Sequence, residues 1–252
     1  MVYPNDQIYE GDITNKKRNG KGILHFPDGS SIEGQWKDDE TLGEVKHHLS
    51  NGQIYTGPMV NGYWHGTGKI EFPDGDVYTG ELKLGKKCGE GVTKFKDGSI
   101  YTGTYFNGKR GGFGVYTTQD GTRYSGEWKE DRQDGFGKEE YAIGGYYEGT
   151  FRNGVREGKG VCVYHHGGRY EGAFVKGQKS GYGVAKMPDG AEYAGDWRWG
   201  MKHGLGRGVY PTGMVYEGEY EFDKPHGKGK VSYPDGRVFN NLTFREGKAV
   251  EE

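Results

Sequence analysis

A large residue, a glycine and a second large residue return every 23 positions along this chain. From Tyr147 the first position steps forward to Tyr170, Tyr193, Tyr216 and Phe239, and back through Tyr124, Tyr101, Tyr78, Tyr55 and Ile32 to Tyr9. A glycine follows two residues later in ten of these eleven units, Gly11 to Gly218, with Asn241 in the last. Four residues after the first position come Trp36, Met59, Leu82, Tyr105, Trp128, Phe151, Phe174, Trp197 and Tyr220. No insertion breaks the register. A constant period of this length marks a stack of repeats, and it decides how every shorter motif is read.

The second half of each unit carries a Gly-x-Gly, beginning at Gly20 and recurring to Gly227; Val45 stands for the second glycine of one pair. A pair that returns at the repeat period is architecture rather than a phosphate cradle. In Tyr-x-Gly-x-Trp the two rings and the glycine share one face of a strand, because side chains alternate with period two. Turn signals such as Arg152-Asn153-Gly154 and Pro188-Asp189-Gly190 separate the strands. Strand glycines mark places where another group approaches the backbone, here aromatic rings from neighbouring strands. A third row, 17 residues after the first, runs Phe26, Leu49, Phe72, Phe95, Thr118, Tyr141, Tyr164, Met187, Tyr210 and Tyr233 and is expected to complete the core.

One unit buries too little apolar surface to fold alone, so stacking is obligatory. The expected fold is all-β: an elongated single antiparallel sheet solenoid of stacked β-hairpins, one per 23-residue repeat. At about 4.8 Å per strand this gives a rod on the order of 100 Å. Residues 1–252 are read as one solenoid of about ten repeats from residue 9, with a half-repeat before it and a degenerate cap from 239.

Composition agrees with this and excludes several functions. Only 32% of the residues are hydrophobic and 50 are glycine, yet 20 Tyr, 11 Phe and 5 Trp are too many for a disordered polar chain. The net charge of -2 and pI of about 6.5 argue against a nucleic-acid partner. No apolar run approaches the roughly 20 residues that span a bilayer, and MVYPND lacks a signal-peptide apolar region, so a soluble, intracellular, cytoplasmic protein is expected. Cys88 and Cys162 lie in no metal-ligand or redox motif and read as reduced structural thiols.

Catalytic chemistry is not legible. Gly103 to Lys109 superficially opens a P-loop, but Arg110 stands where Ser or Thr would meet Mg²⁺ and no helix is expected to follow. His65, His203 and His226 share one repeat position; His47/His48 and His165/His166 are adjacent pairs whose side chains, on a strand, would point to opposite faces. The expectation is no catalytic, cofactor-binding or metal-binding residue.

Variation lies at positions the core does not fix. The residue between the paired glycines should point outward, and it is apolar at Phe113, Phe136, Tyr182 and Leu205, with Lys159 between. In register these would form a stripe roughly 40 Å long, a candidate partner-binding surface, unless a curved sheet packs them on their neighbours. The hairpin tips carry Lys17, Arg18, Lys86, Lys87, Lys109, Arg110, Arg132, Arg156, Lys179 and Lys202, a candidate basic edge. The opposite turns carry Asp28, Asp74, Asp97, Asp120, Asp189 and Asp235. Solvated turns explain such charges; the functional reading is an edge that meets a filament or anionic lipid.

The Tyr-Glu-Gly-x-Trp, Asn-Gly-x-x-x-Gly-x-Gly and Asp-Gly pattern at 23-residue spacing resembles the MORN (membrane occupation and recognition nexus) repeat over essentially the whole chain. The unit from Ile32 departs at Gly43-Glu44-Val45 and at Asp38, Asp39 and Glu40, and the last unit has Asn241 and Thr243 for glycine and aromatic. Chains built almost wholly of such repeats resemble the family's scaffold members, including radial spoke head and cytoskeletal components. The resemblance therefore implies a non-enzymatic scaffold in a ciliary axonemal or other cytoskeletal assembly, with protein partners. Alternatives are a peripheral membrane tether binding anionic phospholipid, without a helix or lipid anchor to assist it, and a targeting subunit of a separate enzyme. Open sheet edges at the ends invite pairing into a homodimer.

Overall fold

The structure, a computed structural model, describes residues 1–250. Among them are 23 strands, paired antiparallel, and no helix. The fold is all-β and built of stacked hairpins, as the period requires. Contacts divide the chain into two units. The first holds Met1–Gly121 and Trp128–Arg132; the second holds Thr122–Glu127 and the chain from Gln133.

In the first unit, strand Ile100–Phe106 pairs with Lys109–Thr117 so that Tyr101 faces Tyr116, Gly103 faces Gly114 and Tyr105 faces Arg110. The two-residue tip, Asn107-Gly108, has positive φ at both positions (49° and 89°), the type I′ geometry that matches strand twist. Between Gly103 and Tyr105 the register shifts, and Gly112 (φ 64°) takes the left-handed conformation of a bulge. The two glycines of Gly-x-Gly thus answer different demands. Gly112 supplies a backbone angle, whereas a Cβ on Gly114 would lie 2.6 Å from Cε2 of Tyr101.

The second unit repeats this arrangement. Tyr147 faces Cys162, Gly149 faces Gly160, and Phe151 faces Arg156, with the bulge between Gly149 and Phe151 and Gly158 at φ 70°. The ring of Tyr147 lies across the glycine pair of its own hairpin, and its hydroxyl donates to Thr150 O at 3.1 Å, beside the bulge. The same bond joins Tyr78 to Glu81, Tyr170 to Ala173 and Tyr193 to Asp196. Sequence reasoning placed rings from neighbouring strands in these slots; the ring comes from the same repeat and covers both its own strand and its partner. Tyr147 then meets Phe151 and Phe174 edge-on at 5.1 and 5.0 Å, worth about 0.5–1.5 kcal/mol per pair beyond burial.

Two expectations need correction. The row 17 residues after each Tyr does not complete the core: Phe26, Phe72, Phe95, Tyr141 and Tyr164 are half-buried, and Met187 and Tyr233 are exposed. The buried row lies two residues earlier, at Leu24, Ile70, Thr93, Cys162, Ala185 and Val231, because these face the Tyr directly across the hairpin. At the C-terminus, Asn241 adopts φ 55° and the register of Val238–Arg245 slips, so that Phe244 takes the ring position that Thr243 was expected to vacate. Phe244 is buried against Tyr216 at 5.0 Å.

The unit from Ile32 compensates internally. Ile32 lacks a ring to cover Gly34, and Val45 fills the space instead: a Cβ on Gly34 would lie 2.7 Å from Cγ1 of Val45. At its tip, Asp38 and Asp39 both adopt positive φ, and Asp39 accepts bonds from Arg18 N (2.9 Å) and Nε (3.2 Å). Asp131 with Arg110 repeats this clamp, and Asp223 accepts from Lys202 N in the second unit.

Candidate partner-binding face

The bulge and the glycine pair together aim the residue between the glycines away from the rings. Phe113, Phe136, Tyr182 and Leu205 are all on that outward face, and each keeps more than half of its surface exposed. In the second unit Phe136, Lys159 and Tyr182 line one groove of about 830 Å³, with Val161 and Val184 as apolar walls and the backbone of Gly149, Gly160 and Gly172 lining it as well. Glu148, Glu171, Arg169 and Lys186 also line it. Three of these charges are already engaged, Arg169 with Glu171 at 2.6 Å and Lys186 with Glu192 at 3.1 Å. Leu205 is exposed on the same unit but does not line the groove, and Phe113 belongs to the first unit. The valines directly after the glycine pair, two residues beyond the stripe position, were missed in the sequence; their period-two alternation with the stripe residues could have found them.

The ten basic residues at the tips divide into two sets. Lys17, Lys86, Lys109 and Arg132 are exposed, and Lys109 is paired with Glu130. Arg18, Lys87, Arg110, Arg156, Lys179 and Lys202, each nine residues after the repeat's Tyr, fold back over the rings instead. Arg110 lies 4.4 Å over Trp128, Lys87 4.8 Å over Tyr78, Lys179 4.6 Å over Trp197 and Arg156 4.7 Å over Tyr147. Burial pushes the ammonium pKa of Lys87, Lys179 and Lys202 down, and it pushes the tyrosine hydroxyls up, Tyr147 and Tyr170 to about 12. Cations capping rings contribute about 0.5–2 kcal/mol each to the core. Six of the ten basic residues are thus roof over the aromatic row.

No histidine lines the groove. Nδ1 of His47 accepts the Trp64 indole N–H at 3.1 Å, while His165 and His166 sit in a turn, not on a strand, with ring centroids 5.3 Å apart. Among the described residues no group of three His, Cys, Asp or Glu could hold a metal ion.

A family model for the MORN repeat matches residues 9–31, 55–77, 78–100, 101–123, 124–146, 147–169, 170–192, 193–215 and 216–236. The chain belongs to the MORN-repeat family. The MORN match skips the segment from Ile32 to Ile54, where Ile32 and Val45 replace the ring and its glycine. A comparison with curated proteins finds no match. Among solved structures, the MORN chain is similar to the TCP10 domain of Danio rerio CPAP in complex with a peptide of Danio rerio STIL, at 17% identity, covering 94% of this chain and 99% of that one, with a TM-score of 0.36. It is also similar to the SAS-4 (dCPAP) TCP domain of Drosophila melanogaster in complex with a proline-rich motif of Ana2, at 10% identity, 78% and 87% coverage and a TM-score of 0.36. Virginiamycin B lyase from Staphylococcus aureus follows at 11% identity, 95% and 89% coverage and a TM-score of 0.18. At such TM-scores none of these likenesses carries an argument. MORN arrays are repeat scaffolds and interaction modules, and the family is generally non-catalytic.

Proposed function

We propose that this MORN chain is a non-enzymatic scaffold that docks protein partners on the outward face of its hairpins, within a cytoskeletal assembly such as a radial-spoke-like part of an axoneme. The observation that carries the docking surface is the groove between Phe136 and Tyr182. Large apolar side chains there are exposed although the repeat allows Lys or Glu at the same position, as at Lys21, Glu44 and Glu90. Exposed apolar surface without a folding role is the physical mark of a recognition site. The axonemal setting comes from the family's scaffold members.

The test is a double variant, Phe136→Ser with Tyr182→Ser, compared with wild type in crosslinked extracts of detergent-extracted ciliated cells. The expected outcome is unchanged stability, wild-type retention with the cytoskeletal fraction, and loss of crosslinked partners in the variant. Full release of wild type into the soluble fraction would remove the cytoskeletal setting, and partners kept by the variant would remove the face.

A further inference from the structure

The departing unit leaves a hollow on the ring face of the first unit. In six of the repeats the Tyr has a cation nine residues on besides the large residue of its own strand and that of the next repeat; Tyr101, for example, meets Tyr105, Trp128 and Arg110. Around Ile32 the corresponding residues are Trp36, Met59 and Thr41. Ring, second aromatic and cation have all become smaller at one place. Val45 fills only the inner space over Gly34.

The consequence is measurable. A hollow of about 520 Å³ is lined by Ile32, Trp36, Thr41 and Met59, with Arg18 on its wall. A second, of about 450 Å³, shares Phe26, Ile32 and Met59 with it and reaches His47. The regular counterpart around Tyr193, between Trp197, Lys202 and Tyr220, measures about 90 Å³. The difference is room for a ring, and the size falls in the range of small-ligand sites.

We infer that this hollow is a binding site for an aromatic side chain, phenol or indole, donated by a partner to the place where the other repeats supply their own. The walls suit that occupant. Trp36 offers an indole and Phe26 a ring for edge-on contact. Ile32 and Met59 are an apolar floor, and Arg18, already 4.4 Å over Trp36, is a cation beside the vacant position. Asp39, Glu40 and Asn61 at the hairpin tips also line the hollow, so the backbone that carries the ring would run past polar groups.

Indole N–H resonances of the full chain test this. Trp36 lines the first hollow, Trp64 is bonded to His47 of the adjoining second one, and Trp197 in the second unit is the control. Titration with p-cresol and with N-acetyl-tyrosinamide should shift the Trp36 and Trp64 signals saturably, with half-saturation on the order of 1 mM, as expected for such small ligands. Trp197 should not move. Thr41→Arg, which restores the cation, and Met59→Trp, which restores the second ring, each plug the hollow and should weaken both probes at least tenfold. No saturable shift, or equal shifts in both plugged variants, would overturn the site. Response to p-cresol but not to N-acetyl-tyrosinamide would overturn the side-chain donor in favour of a free phenol.

Discussion

Gly158 and Gly160 stand two residues apart and fail for different reasons when replaced. Gly158 sits at φ 70°, and a Cβ there would meet Thr150 only at an ordinary contact distance of 3.7 Å, so Gly158→Ala should cost about 1–2 kcal/mol through the backbone alone, and Gly158→Asn less. Gly160→Ala pushes a methyl into the Tyr147 ring, an overpacking cost of about 1–3 kcal/mol that Asn only worsens. Urea midpoints of the three variants separate the two causes; equal losses for Ala and Asn at 158 would remove the backbone explanation. The Tyr147 hydroxyl adds its own term, and Tyr147→Phe, which withdraws the donor from Thr150 O, should cost about 1–2 kcal/mol. The same hydroxyls govern behaviour in alkali. Unfolded tyrosine ionises near pH 10, and burial raises Tyr147, Tyr170 and Tyr216 to about 12. Each therefore stabilises the fold fully below pH 10 and loses that contribution as the pH climbs to about 12, about 1.4 kcal/mol per pH unit and tyrosine. Tyrosinate absorbance and loss of β-sheet circular dichroism should rise together in that window; tyrosines that ionise near pH 10 in the folded protein would contradict the burial.

At the scale of the hairpin, the repeat was legible because alternation and turn chemistry write themselves into residue types. Tyr at nine of the eleven positions spaced by 23, Asn-Gly at tips and Pro-Asp-Gly at the opposite turns were enough to place the strands. The bulge was not legible. A glycine needed for its φ, such as Gly112, and one needed for its missing Cβ, such as Gly114, are the same letter. The basic residues were misjudged for a related reason: Lys86 and Lys87 are neighbours in sequence, but pleating sends one to solvent and the other over Tyr78. The outward position of Phe136 and Tyr182, by contrast, followed from parity alone. The departing unit shows that ring and glycine are chosen as a pair. Ile32→Tyr should clash with Val45, Val45→Gly should leave a cavity, and the double variant should recover stability, with a coupling of about 1–2 kcal/mol in a double-mutant cycle. Additive losses would mean that Val45 does not occupy the ring's place.

For the whole molecule, we propose that the chain folds as one cooperative domain although contacts partition it, the partition falling inside strand Arg123–Lys129. Trp36, Trp64 and Trp128 lie in the first unit and Trp197 and Trp199 in the second, so denaturation can be followed from both. One shared urea transition is expected for fluorescence and circular dichroism, and a destabilising change at Gly160 should move both probes by the same amount. Two separable transitions would divide the domain. The tyrosine that closes a regular hairpin over its own glycines also has a consequence for inheritance. Each such unit carries its lock within its own 23 residues, so a gene that gains or loses whole repeats still encodes closed hairpins. The loss of a single codon within a strand, however, turns every later side chain of that strand to the wrong face. The length of such a chain can therefore be edited in whole units, and hardly at all between them.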